Sequence, residues 1–167
     1  MRTDRIGYTM IETVIVMLVM GILAAVIAPK YRATAARYRV EAAARRLVAD
    51  LSYLRARAMM KGPVAEECVV FYAATEEYEI SNAADLDHPD LQYRVDFRKT
   101  PYAVDIQSSL FQGARGAISN DTIKFDMYGL PRLDSPSEPL QVGWIKLSSG
   151  SELRTVVIDP VTGKASF

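Results

Sequence analysis

The chain has 167 residues, half of them hydrophobic, enough for one domain with a modest core. Twenty Lys and Arg balance twenty Asp and Glu, so no global field points to nucleic acid or to a polyanionic partner. The single cysteine, Cys68, excludes an intrachain disulfide, and the single histidine, His88, has no Cys or His at ligand spacing and so argues against a zinc site.

In chain order, the first seven residues are short and polar, carry Arg2 and Arg5, and end in Gly7. From Tyr8 to Pro29 the only charge is Glu12. That run, about 22 residues at roughly 1.5 Å each, covers a hydrocarbon core of about 30 Å, which predicts a transmembrane helix. A carboxylate inside it costs about 2.5–3.5 kcal/mol at the bilayer centre. Loss of the whole run as a secretory signal is disfavoured, because Val26-Ile27-Ala28 precedes Pro29 and Ala33-Thr34-Ala35 lies beyond Lys30 and Arg32.

Trimming at the N-terminal end fits better. The segment Gly7-Tyr8-Thr9-Met10-Ile11-Glu12 closely resembles the prepilin cleavage motif of type IV pilins and type II secretion pseudopilins. Tyr8 stands where that motif usually has Phe, and Met10 where it has Leu; both keep size and apolarity. The resemblance implies cleavage by prepilin peptidase between Gly7 and Tyr8, with N-methylation of Tyr8. It also implies that Glu12, then the fifth residue, neutralises the N-terminal amine of a neighbouring subunit during assembly. The residues alone leave a second reading, in which Glu12 lies at the headgroup level and reaches solvent. The resemblance places the chain in the inner membrane as a single-pass protein with its head in the periplasm. Lys30, Arg32, Arg37 and Arg39 outnumber Arg2 and Arg5, which by the positive-inside count points the other way; the motif takes precedence here.

Beyond Pro29, which removes a backbone donor and invites a kink, Tyr31 to Met60 is rich in Ala, Arg and Leu and continues as helix. Val40, Ala44, Leu47, Leu51, Leu54 and Ala58 recur at three- or four-residue spacing, a stripe that docks on a core while the arginines form a solvated flank, except that Lys30 and Arg32 at the membrane border are expected to contact lipid headgroups or acidic neighbouring heads. Gly62-Pro63 ends it. The expected segments are a leader (1–7), a membrane and assembly helix (8–29), its amphipathic continuation (30–61) and a β-rich head (62–167).

From Glu66 the periodicity switches to alternation. Cys68–Tyr72 and Tyr78–Ile80 predict a hairpin around Ala73–Glu76, and further strands are expected at 91–97, 102–107, 123–127, 144–147, 153–158 and 165–167. Cys68 is expected as a small buried hydrophobe at a strand start, and Gly129 and Gly163 as turn residues with positive φ. Thr122–Phe125, Gly129-Leu130-Pro131, Trp144–Leu147, Arg154–Ile158 and Thr162-Gly163-Lys164 resemble the closing strands of GspH/FimT-like minor subunits. The resemblance implies an α+β fold, a long N-terminal helix packed on an antiparallel β-sandwich-like head.

Asp85, Asp87 and Asp90 surround His88, but the spacing lacks the Gly and distal Glu of a calcium loop, and a solvated loop is the better reading. No Gly-x-Ser-x-Gly, P-loop or dinucleotide fingerprint appears, so neither a catalytic residue nor a cofactor nor a metal is expected. Some FimT-like minor pilins bind DNA through a basic C-terminal motif; here Gly163-Lys164-Ala165-Ser166-Phe167 offers one cation, so DNA is a disfavoured partner. The expected role is a structural minor subunit of a secretion or pilus filament, with prepilin peptidase and other pilin or pseudopilin subunits as partners. The alternatives are a DNA-binding minor pilin and a simple membrane-anchored periplasmic module.

Overall fold

A computed structural model describes residues 9–62, 67–85, 88–119, 121–134 and 137–167. The chain divides into two compact units, with the division between Ala35 and Ala36. One helix, α1 (Met10–Lys61), contributes to both. It runs through Pro29 without interruption and ends as expected: Gly62, at φ 69°, takes the left-handed conformation that closes a helix. The unit division therefore falls inside α1 and not at its end, because the second half of the helix belongs to the head's core.

In the second unit, α1 buries Val40, Ala43, Ala44, Leu47, Asp50, Leu51, Leu54 and Ala58. This is the predicted stripe with two additions. Burial of Leu47, Leu51 and Leu54 alone stabilises the docking by roughly 5–9 kcal/mol at about 1.5–3 kcal/mol per side chain. The stripe meets Val69, Tyr78 and Ile80 of the first sheet.

Ten strands follow: β1 (Glu67–Tyr72), β2 (Glu77–Ala84), β3 (Gln92–Asp96), β4 (Asp105–Gly113), β5 (Ile118–Ser119), β6 (Thr122–Phe125), β7 (Pro131–Arg132), β8 (Leu140–Ser149), β9 (Glu152–Ile158) and β10 (Ala165–Ser166). They form two antiparallel five-stranded sheets, ordered β3-β2-β1-β6-β7 and β10-β9-β8-β4-β5. The architecture is α+β, as the resemblance implied. Rings of the two sheets meet in the core, where Phe71 and Phe111 lie 5.7 Å apart, and the contact continues through Tyr78, Phe97 and Tyr102.

The expected hairpin is present, with Tyr72 opposite Glu77. Elsewhere the strands shift. The strand expected at 102–107 runs from Asp105 to Gly113, because Tyr102 N–H bonds Lys99 O in a turn and Ala103 sits at φ 49°. It then continues through polar Gln107, Ser108 and Ser109, where the register slips by one residue and breaks the alternation. Leu91, expected on the apolar face with Tyr93 and Phe97, lies before β3 and is exposed. Met127 falls in a turn in which Asp126 accepts from the N–H groups of Tyr128 and Leu130.

Candidate functional site

The described part of the first unit, residues 9–35, is helical from Met10 onward. Every described residue from Thr9 to Thr34 is exposed, and α1 carries an 18-residue window of mean hydropathy 2.6 with none of it buried. An apolar helix exposed on all faces and about 30 Å long over 10–29 is long and apolar enough to cross a bilayer.

Gly7 and Tyr8, the residues of the expected cleavage and methylation site, lie outside the described residues. Glu12 lies in the first turn of α1 and is exposed. Its N–H donates to Thr9 Oγ1 at 3.3 Å and to Thr9 O at 3.1 Å, so Thr9 is the N-cap and Glu12 the third helical residue. This Thr-x-x-Glu arrangement is a capping-box pattern, and a carboxylate there also faces the positive end of the helix dipole. Sequence reasoning missed this local role, although the four-residue signal is plain in Thr9-Met10-Ile11-Glu12.

In the head, the arginine flank is only partly solvated. Arg37 and Arg39 are exposed as expected. Arg46, Arg55, Arg57 and Lys61 instead reach the sheets. Lys61 Nζ lies 2.6 Å and Arg57 Nε 3.4 Å from Glu67, a carboxylate with no solvent exposure at the start of β1. Removing either cation would strip part of the compensation from a buried charge.

Asp50 is the centre of a second group. Its Oδ2 accepts from Arg46 Nε at 3.0 Å, from Tyr93 OH at 3.0 Å and from the Tyr78 hydroxyl, while Arg46 also donates to the Tyr93 hydroxyl. Burial, then the neighbouring Asp50 charge, pushes the Tyr93 phenol up to about 12, and the same causes raise that of Tyr78. Both phenols remain protonated donors over the physiological range. The alternation rule gave Tyr78 and Tyr93 as core residues but no reason to pair them with a carboxylate.

Arg55 completes a third contact. Its Nε donates to Gly129 O at 3.1 Å, and Gly129 and Gly163 adopt φ 74° and 68°. Both glycines are turn residues as expected, but the two turns also touch: a Cβ on Gly163 would run into the Gly129 carbonyl oxygen. The β6–β7 turn, the β9–β10 turn and α1 are thereby clasped together.

The remaining candidates are local. Asp85 Oδ1 accepts from His88 N–H at 3.2 Å, which closes a turn; Asp87 lies outside the described residues, and no cluster suited to a metal ion occurs among the described residues. Cys68 is half-buried and not the fully buried hydrophobe expected. It alternates with core residue Val69, so its thiol points away from the core and donates to Ser81 Oγ at 2.9 Å, and burial pushes it up. Lys164 is exposed in the last turn. Comparison with protein-family models, with curated proteins and with solved structures returned no match.

Proposed function

We propose that this chain is a structural minor subunit, a pseudopilin or minor pilin, of a type II secretion or type IV pilus filament. In this reading prepilin peptidase cleaves it between Gly7 and Tyr8 and methylates Tyr8. The apolar part of α1 then holds it in the inner membrane, with the head in the periplasm, and Glu12 pairs with the N-terminal amine of a neighbouring subunit. It performs no catalysis of its own. The observation that carries the reading is the double use of α1: one helix, Met10–Lys61, is apolar and wholly exposed at its start and supplies the buried stripe of an antiparallel β head at its end. A simple anchor does not require that continuity. The prepilin-like stretch that leads into the helix, with Glu12 in its first turn, makes filament assembly the better account. DNA binding has less support, because the C-terminal stretch offers only Lys164.

Co-expression with prepilin peptidase, followed by N-terminal sequencing and intact mass, tests the reading. The mature chain is expected to begin at methylated Tyr8, and a bulky replacement of Gly7 should leave the precursor at full length. Retention of Met1 in a system that processes other prepilins, or a start at Ala36, would overturn it.

A further inference from the structure

Within the head, a cleft of about 330 Å³ opens between one stripe of α1 and the β2–β3 edge, lined by Arg46, Ala49, Asp50, Tyr53, Ala84 and Tyr93. Its volume is at the small end of the range for ligand sites, about 300–1,000 Å³. Four features fix what it would accept. First, the described donors to Asp50 all converge on Oδ2, which leaves the lone pairs of Oδ1 as acceptors on a residue that lines the cleft. Second, Arg46 uses Nε on Asp50 and one amino group on Tyr93, which leaves the rest of its fork as a donor beside that acceptor. Third, the pair is neutral overall, so a charged ligand of either sign meets a like charge close to the opposite one and gains little net attraction. Fourth, Tyr53 is 52% exposed and lines the cleft with two small residues, Ala49 and Ala84, and so offers its ring as an apolar platform.

A neutral ligand that presents alternating donors and acceptors on one edge and a C–H face on the other satisfies all four. A sugar ring does this: each hydroxyl both donates and accepts, neighbouring hydroxyls match the adjacent carboxylate and guanidinium, and the axial C–H face rests on an aromatic ring. A simple hydrocarbon would leave the polar pair unmatched on desolvation. We propose that this cleft binds a neutral pyranose unit of a glycan. The proposal does not depend on the filament reading, since every residue in it belongs to the head.

The test is saturation-transfer NMR on the full chain in a zwitterionic detergent free of sugar headgroups. The probes are methyl β-glucopyranoside and N,N′-diacetylchitobiose, with argininamide and glutarate as charged comparators. Transfer to the ring C–H protons of a neutral probe is expected, with a Kd of about 1 mM, typical of one small contact surface. Tyr53→Ala removes the platform and Ala84→Leu fills the cleft; both positions are exposed, so neither threatens folding. Each should weaken binding about ten-fold, while Leu153→Ala, exposed on β9, leaves it unchanged. No transfer to either neutral probe, tighter binding of a charged probe, or equal binding by both cleft variants and the parent would each overturn the proposal.

Discussion

Replacing Asp50 by Ala removes the acceptor on which a buried tyrosine, a nearly buried tyrosine and an arginine converge. Tyr78 has no solvent exposure, so its buried hydroxyl loses its acceptor, at about 1–3 kcal/mol. The Tyr93 hydroxyl keeps Arg46, and the Arg46 side chain is 40% exposed, so together they add about 1 kcal/mol. Ala is the better helix former by about 0.5 kcal/mol, which offsets part of the loss. The net expectation is roughly 1.5–3.5 kcal/mol of destabilisation, against about 1 kcal/mol for Asp50→Asn, which retains an acceptor oxygen. Tyr78→Phe removes the orphaned donor, so in the double variant Asp50→Ala/Tyr78→Phe the two costs should fall short of additivity by at least about 1 kcal/mol. Equilibrium urea unfolding of the full chain in detergent micelles, followed by near-UV circular dichroism of the tyrosines, measures all four variants. A cost below about 0.5 kcal/mol for Asp50→Ala, or strict additivity in the double variant, would refute the account of the cluster.

The clasp between turns predicts that Gly163→Ala costs more than about 2 kcal/mol, from the left-handed conformation plus collision with the Gly129 carbonyl, whereas Gly150→Ala, at φ 61° in open space, should cost only about 1 kcal/mol. Equal urea midpoints for the two variants would contradict it. The Tyr93 phenol is held above its ordinary value when folded, so its contribution is complete below about pH 10 and is lost as pH rises through about 12; midpoints should fall across that window, and Tyr93→Phe should flatten the fall. For Glu12, replacement by Gln or Ala should reduce recovery in filaments while leaving cleavage and membrane insertion intact, since the membrane disfavours the charge. Thr9 retains its cap in both variants, so normal filament recovery would assign Glu12 to the helix terminus alone.

The sequence made the helix and its buried face legible because α1 follows its period closely: each residue named from the three- and four-residue spacing is buried. The hairpin was equally plain, since Cys68–Tyr72 alternates and four turn residues follow. What stayed hidden was pairing at a distance. Asp50 looked like one polar residue on a helix, and nothing local announces that two tyrosines from β2 and β3 converge on it. The strand expected at 144–147 runs from Leu140 to Ser149, and Gly143 within it leaves room for the Leu140 side chain packed against it. Arg55, Arg57 and Lys61 read as a solvated flank because charge predicts exposure on average, and only the folded head supplies the Gly129 carbonyl and the Glu67 carboxylate that draw them in.

Three of the four sheet margins are two-residue strands, β5, β7 and β10, and the fourth, β3, alternates outward charges Arg94 and Asp96. Along the uncovered stretch of β9, the Arg154 guanidinium occupies the Leu153 carbonyl oxygen at 2.9 Å. Such margins give an incoming strand too few consecutive hydrogen bonds to repay its ordering. For a protein read as one that stacks with its own kind, the consequence is selectivity between two modes of polymerisation. If the proposed filament reading holds, the blunted margins disfavour a competing polymerisation through sheet edges at high local concentration.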